Sequence, residues 1–400
     1  MTEFVQKRRF FITVFLLAMT FCNLFLPFQQ LSSLRNGYQD FTIYYMSGLL
    51  LRNGQASDLY NPDTQYRTQA GFTHVPTRLG PVPYNHPPFE ALLFVPFTLL
   101  EYWPAYLVWT ALNLIMLAIS VLILRRQFPQ LGAVPPLVLG LGATAFFPVV
   151  SGIFQGQDVI LLLFLFVLAV VCLDRGKDAL AGAGLAAGLF RPHLIVPVVI
   201  LLAVRRWRVL LGFAPVALAL AGISVAIMGW RGPLDYLRFV LRVEKTVCPG
   251  CFGPQAAPNL RGLFANLPGL RASASWTTLL IFASSATVFF VALYRVRNRR
   301  DSILFTSSLA AVTTILISFH AIVYDLTLLL PMVLLLLSHT VGVGATKIDP
   351  PRILLLVLLF LTPLYIFLLF AVDRFFWFSL VLLWLYVRMV LIPAPAEVPA

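Results

Sequence analysis

Stretches of about 17 to 22 residues with almost no charge recur along the chain, separated by short polar breaks. That length suits a helix crossing the hydrocarbon core of a bilayer. Backbone groups in lipid must bond among themselves, so these runs predict helices. The strict alternation of a membrane barrel is absent. The runs are Phe10–Phe28, Trp103–Leu124, Val134–Val150, Asp158–Leu173, Ala179–Phe190, Leu194–Val204, Val209–Gly229, Trp276–Tyr294, Ser302–Phe319, Asp325–Val343, Ile353–Phe370 and Phe375–Ile392. They predict an all-α polytopic bundle of about twelve transmembrane helices, with residues 1–400 as a single integral membrane domain. Phe89–Leu100 is also apolar but short, and predicts a half-buried helix beside the membrane. Lys7-Arg8-Arg9 before the first run resembles a signal peptide. That run is long for a signal core and no clean cleavage pattern follows, so a retained first helix is expected.

The positions of Lys and Arg test this layout. With the N-terminus inside, one side collects Lys7-Arg8-Arg9, Arg125-Arg126, Arg175 with Lys177, Arg205-Arg206-Trp207-Arg208, the cluster from Arg295 to Arg300, Lys347 and Arg352. Basic clusters prefer the cytoplasmic face, so both termini are expected there. The other side receives two long segments, residues 29–102 and 231–275. It also receives four short ones: Ser151–Gln157, Arg191–His193, His320–Tyr324 and Ala371–Arg374.

Composition narrows the class. Hydrophobic residues make up 60% and charged residues 11%, against about 25% charged in a soluble domain. The net charge of +13 does not signal nucleic acid, because the basic residues sit in short clusters between apolar runs. Cys22 and Cys172 fall inside apolar runs and suit packing. Cys248 and Cys251 fit a local disulfide and two free thiols equally well, and zinc would need further ligands.

Unusual polar residues gather in the segments predicted to lie outside. Asp40 heads a run in which Phe41, Tyr44, Tyr45 and Gly48 share a helical face, predicting a helix along the membrane surface. Asp40 reads as a helix cap or as a general base. Tyr84, His86 and Glu90 form a polar knot around Pro87-Pro88, either a site or a braced turn. Gln157 and Asp158 head an apolar run, where Asp158 would complement the helix dipole. Arg191 and His193 interrupt apolar sequence, where charge is costly. Arg191 is a candidate phosphate ligand, with headgroup snorkelling as its bland alternative. Leu234–Thr246 predicts an amphipathic surface helix, followed by Asn259 and Arg261, a second candidate phosphate ligand. His320, Tyr324 and Asp325 join two apolar runs, as a site or as a capped hairpin.

No Walker loop, dinucleotide-binding glycine motif or His-Glu-x-x-His occurs. A donor therefore reaches the site from the membrane or the far compartment, which suggests a lipid-linked substrate. The ordered set Asp40 with Tyr44-Tyr45 and Gly48, Tyr84 with Pro87-Pro88-Phe89, Gly156-Gln157, the Ala181–Arg191 stretch, Asn259-Leu260-Arg261-Gly262, and Ser318-Phe319-His320 with Tyr324-Asp325 resembles glycosyltransferase family 87 of the GT-C fold. The resemblance implies a polyprenyl-phosphate sugar donor, typically carrying mannose, a glycolipid or glycan acceptor, and inversion at the anomeric carbon. It implies Asp40 as base, and no cofactor or metal. In the mechanism that follows, His320 is a second catalytic candidate, to orient the acceptor or assist the leaving phosphate. The resemblance further implies a bacterial-type cell membrane location with the site on the non-cytoplasmic side. Arg191 stands where the family more usually has Lys, and presents a planar fork instead. A transporter or flippase, another GT-C enzyme such as an arabinofuranosyl- or glucosyltransferase, and a non-catalytic scaffold are the competing readings. The first would want midplane charges and internal repeats, neither of which is evident.

Overall fold

The computed structural model describes residues 3–37, 39–73, 82–243, 253–268, 274–341 and 349–391. Cys248, Cys251 and Lys347 lie outside the described residues, as does the end of the predicted Leu234–Thr246 helix. Every regular element among the described residues is a helix. Over its described residues each predicted apolar run is mainly helical, but the lengths differ. Among the described residues five helices are long and apolar enough to cross a bilayer alone: Gln6–Gln29, Tyr102–Gln127, Val209–Met228, Ala274–Asn298 and Val323–Val341. Two bent pairs raise the number to seven, Pro136–Ala145 with Phe147–Gln155 at 63° and Pro350–Phe360 with Thr362–Ala371 at 57°. Proline lies at each break: Pro148 and Pro363 occupy the first turn of the second helix, where a missing N–H costs little. Other apolar helices, such as Val159–Asp174 and Pro192–Ala203, have 10–17 residues, shorter than a full crossing.

Outward-facing Phe11, Phe21, Leu218 and Phe290 leave an apolar exterior that water would penalise and lipid would not. Inside, helices Asp178–Ala187 and Val209–Met228 touch backbone to backbone. A Cβ on Gly182 would stand 1.8 Å from the Val209 carbonyl oxygen, and one on Gly212 would stand 1.7 Å from that of Ala179. Small residues permitting such approach are how helices associate in lipid.

The long polar segment after the first helix folds back as an aromatic cap. Phe41, Tyr44, Tyr45, Tyr60, Tyr84, Phe94, Tyr102, Trp109 and Phe239 form one buried cluster. Helix Phe41–Arg52 is enclosed in it: residues 41 to 48 are all buried, so it does not lie along the membrane surface as its pattern suggested. Tyr60 receives Phe239 at 5.4 Å from helix Gly232–Val243, whose Leu234, Leu237 and Leu241 face outward.

Several of the basic clusters meet one another. At one end Arg175 donates to Gln127 at 2.7 Å, Arg206 pairs with Asp178 at 2.8 Å, and Arg205 donates to the Arg299 carbonyl at 2.8 Å. Segments carrying Asp40, Gln157, Arg191 and Asp325 meet elsewhere, at the seam between the aromatic cap and the main core.

Gly182→Val is expected to lower the thermal unfolding midpoint of the detergent-solubilised protein, with overpacking costing about 1–3 kcal/mol. An unchanged midpoint would show that these backbones are not in contact.

Candidate functional site

Local geometry brings five distant segments to one point. Helix Phe147–Gln155 ends at Gly156 in the left-handed region, φ 64° and ψ 32°, which favours glycine. A Cβ there would also press on Phe41 at 2.7 Å. The Trp109 indole donates to the Gly156 carbonyl at 2.9 Å. This turn throws Gln155, Gln157 and Asp158 toward the cap. Arg191 precedes Pro192, which disfavours helix at Arg191, so the chain is extended there and the guanidinium turns inward. Asp325 opens the turn after Ile322, its Oδ2 accepting the Ile322 N–H at 2.8 Å.

Arg191 sits at the centre, 4% exposed. Its Nε donates to Asp158 Oδ1 at 2.6 Å and its Nη1 to Asp325 Oδ1 at 2.5 Å. Its Nη2 donates to Gln157 Oε1. The guanidinium also lies over the Tyr324 ring, 5.4 Å from its centroid. Gln157 passes this order outward. Its Oε1 accepts from the Tyr44 hydroxyl at 2.7 Å, and its Nε2 donates to Asp40 Oδ2 at 2.6 Å.

Asp40 does not cap its helix by a side-chain hydrogen bond. Its backbone N–H donates to Gln155 Oε1 at 3.2 Å, while its half-buried carboxylate is held by Gln157. Behind Tyr44 lies the knot of His86, Glu90 and Tyr84. The Tyr44 hydroxyl is 3.4 Å from His86 Nε2, and the Tyr84 hydroxyl donates to Glu90 Oε2 at 3.4 Å. Tyr60 donates to the His86 carbonyl at 2.7 Å, bracing the turn. Burial pushes His86 down to about 4, so its ring is neutral at physiological pH.

On the partly open side, the His193 and His320 rings stand edge to face at 6.2 Å, both half-buried. Arg261 donates from Nη1 to the Phe319 carbonyl at 2.7 Å and lies 3.8 Å over the Phe319 ring. Asn259 holds this corner: it accepts the Gly262 N–H at 2.9 Å and donates to the Ser318 carbonyl at 3.0 Å. The floor is a buried charged network, and its rim carries a carboxylate, two imidazoles and a guanidinium. The family model of glycosyltransferase family 87 matches residues 84–318, more than half of the chain.

The chain belongs to glycosyltransferase family 87. It is a membrane glycosyltransferase. No curated protein and no solved structure matches it significantly.

Within this family 87 chain, the sequence-predicted residues divide by role. Asp40, Tyr44, Gln157, Arg191, Tyr324 and Asp325 adjoin one another directly, and His86, Glu90 and Tyr84 join them through Tyr44. Tyr45 points away, donating to the Leu100 carbonyl at 2.8 Å. Asn259 and Asp325 behave as braces, and Arg191 is too fully engaged to act as a free phosphate ligand. Asp158 is the residue that sequence reasoning undervalued. It makes no side-chain cap bond with its helix and pairs with Arg191 instead. Its signal was electrostatic: a carboxylate and an arginine each interrupt apolar sequence on the same predicted side, and each needs the other.

Arg191→Met is expected to destabilise the fold by about 3–5 kcal/mol, because it strands buried carboxylates. Asp325→Asn, which keeps a hydrogen-bond acceptor, should cost less. Thermal unfolding of the purified variants ranks the two, and the reverse order would remove Arg191 from the centre of the network.

Proposed function

We propose that this enzyme transfers a hexose, mannose by family resemblance, from a polyprenyl-phosphate sugar to an acceptor hydroxyl, inverting the anomeric centre. Asp40 is the base. The observation that carries this reading is its carboxylate, half-buried at a helix head, free of capping duty and aimed by Gln157. Asp40 takes the acceptor proton as the acceptor oxygen bonds to the anomeric carbon. The bond from that carbon to the phosphate oxygen breaks on the opposite face, and the lipid phosphate leaves with the electron pair. Such a base contributes about 10²–10⁴-fold.

Arg261 receives the phosphate, since it stands at the rim over the Phe319 ring, beside His320. Arg191 works through its neighbours, holding Gln157 in place and so the direction of Asp40. His320 orients the acceptor or assists the departing phosphate, with His193 beside it. Tyr44 and Tyr324 line the approach.

The site belongs to the non-cytoplasmic side, with both termini cytoplasmic. Support comes from the separation of the basic clusters from the catalytic segments, which the positive-inside rule explains. The amphipathic helix Gly232–Val243 rests on the same surface, its outward leucines in the lipid boundary.

Asp40→Asn keeps an acceptor for Gln157 and removes the base. Turnover of polyprenyl-phosphate mannose with a glycolipid acceptor is expected to fall about 10²–10⁴-fold at unchanged melting temperature. Unchanged turnover would eliminate the base. For orientation, exposed Gln55 and Arg126 are replaced singly by Cys in a chain cleared of native cysteines. An impermeant maleimide added from outside is expected to label Gln55→Cys and spare Arg126→Cys. Equal labelling would reverse or dissolve the proposed topology.

A further inference from the structure

Three buried ligand-type groups beneath the aromatic cap have no complete account as a hydrogen-bonded cluster. His86 Nδ1, Glu90 Oε1 and Asp158 Oδ2 are each buried without a partner outside the cluster, and the Glu90 and Asp158 carboxyls are near enough to share a proton. Their residues are 7%, 2% and 0% exposed, so water does not satisfy these atoms from bulk. His86 Nδ1 is 2.8 Å from Glu90 Oε2 but is not oriented to bond it, and is 3.7 Å from Asp158 Oδ2. One ligand atom from each residue falls within 4.8 Å of the others. Neighbouring ligands around a cation with bonds of about 2.1 Å stand about 3.0–3.4 Å apart, so small side-chain shifts complete a coordination shell.

Charge points the same way. Glu90, Asp158 and Asp325 are buried carboxylates facing the guanidinium of Arg191. Carboxyl groups outnumber the single guanidinium in this buried cluster. A divalent cation is a complement that such a donor set accepts.

We propose that His86, Glu90 and Asp158 hold a divalent cation of the Mn²⁺ or Zn²⁺ type. Mixed imidazole and carboxylate donors suit that class of ion. With Nδ1 on the metal, the remaining ring proton sits on Nε2 and is donated to the Tyr44 oxygen. Tyr44 in turn donates to Gln157, whose amide donates to Asp40. The cation therefore sets a tautomer at one end of a chain of hydrogen bonds that ends on Asp40, as partners behind metal-bound imidazoles commonly do. Asp158 joins the cation to Arg191. The family resemblance implies no metal; these three side chains do. The binding claim stands apart from the role of Asp40, and only its catalytic consequence rests on that reading.

The test uses the full-length protein in nanodiscs, stripped with EDTA and titrated with Mn²⁺. Electron paramagnetic resonance is expected to show one bound equivalent per chain, with modulation from a single imidazole nitrogen. Saturation should raise the melting temperature, since an ion that binds only the folded state stabilises it. Glu90→Gln is expected to weaken binding at least tenfold, and His86→Gln to remove the nitrogen signal. Mn²⁺ that stays free, or that binds without nitrogen coupling and without a melting shift, overturns the proposal. So does binding that survives both variants unchanged. The wild-type titration decides the matter even if a variant fails to fold. Loss of turnover in Asp40→Asn with Mn²⁺ binding intact separates the base from the metal.

Discussion

A guanidinium buried among helices has no stable state without partners, and Arg191 has no water to supply them. Gln157 and Asp158 come from one segment and Asp325 from another far along the chain, and Arg191 requires all of them at one point. Desolvation makes such a cluster unforgiving: complete, it is rigid, and broken, it leaves bare charge in a low-dielectric interior. The turn at Gly156 and the extended backbone before Pro192 are the local features that let the partners arrive. The seam between the aromatic cap and the main core is where they meet.

Rigidity at the floor is what gives the rim its direction. Gln157 carries order from the arginine to Asp40, so a half-exposed carboxylate is aimed by groups that never contact solvent. The rim residues His193, His320 and Arg261 lie at or beside the ends of three different helices. A membrane glycosyltransferase needs its polar substrates to meet a site held within an otherwise apolar molecule.

Much of this was legible in the chain. The helical runs and the short basic clusters between them follow from composition and spacing, and the family from the resemblance of the ordered motifs. Individual roles were less so. Asp40 at the head of a helix looks the same whether it caps or reacts, and only its bond to Gln157 separates the two. Tyr44 and Tyr45 are adjacent and alike, yet one faces the site and the other a carbonyl at Leu100. Asn259 resembled a ligand-binding residue and is a brace. Asp158 read as a dipole partner and is an ion pair. Apolarity along a sequence does not record that prolines bend some helices and that others are short, so among the described residues five to seven spans meet the length criterion against about twelve expected.

Sequence alone determined that the chain is helical and that its apolar runs suit lipid. These follow from local hydrophobic length and from the cost of moving charge across a bilayer, both summed residue by residue. The tertiary structure alone decided which polar residues touch, which of them are spent on holding the fold and which remain for chemistry. Those outcomes depend on contacts between residues more than a hundred positions apart, and no local pattern carries the distance or angle on which a hydrogen bond depends.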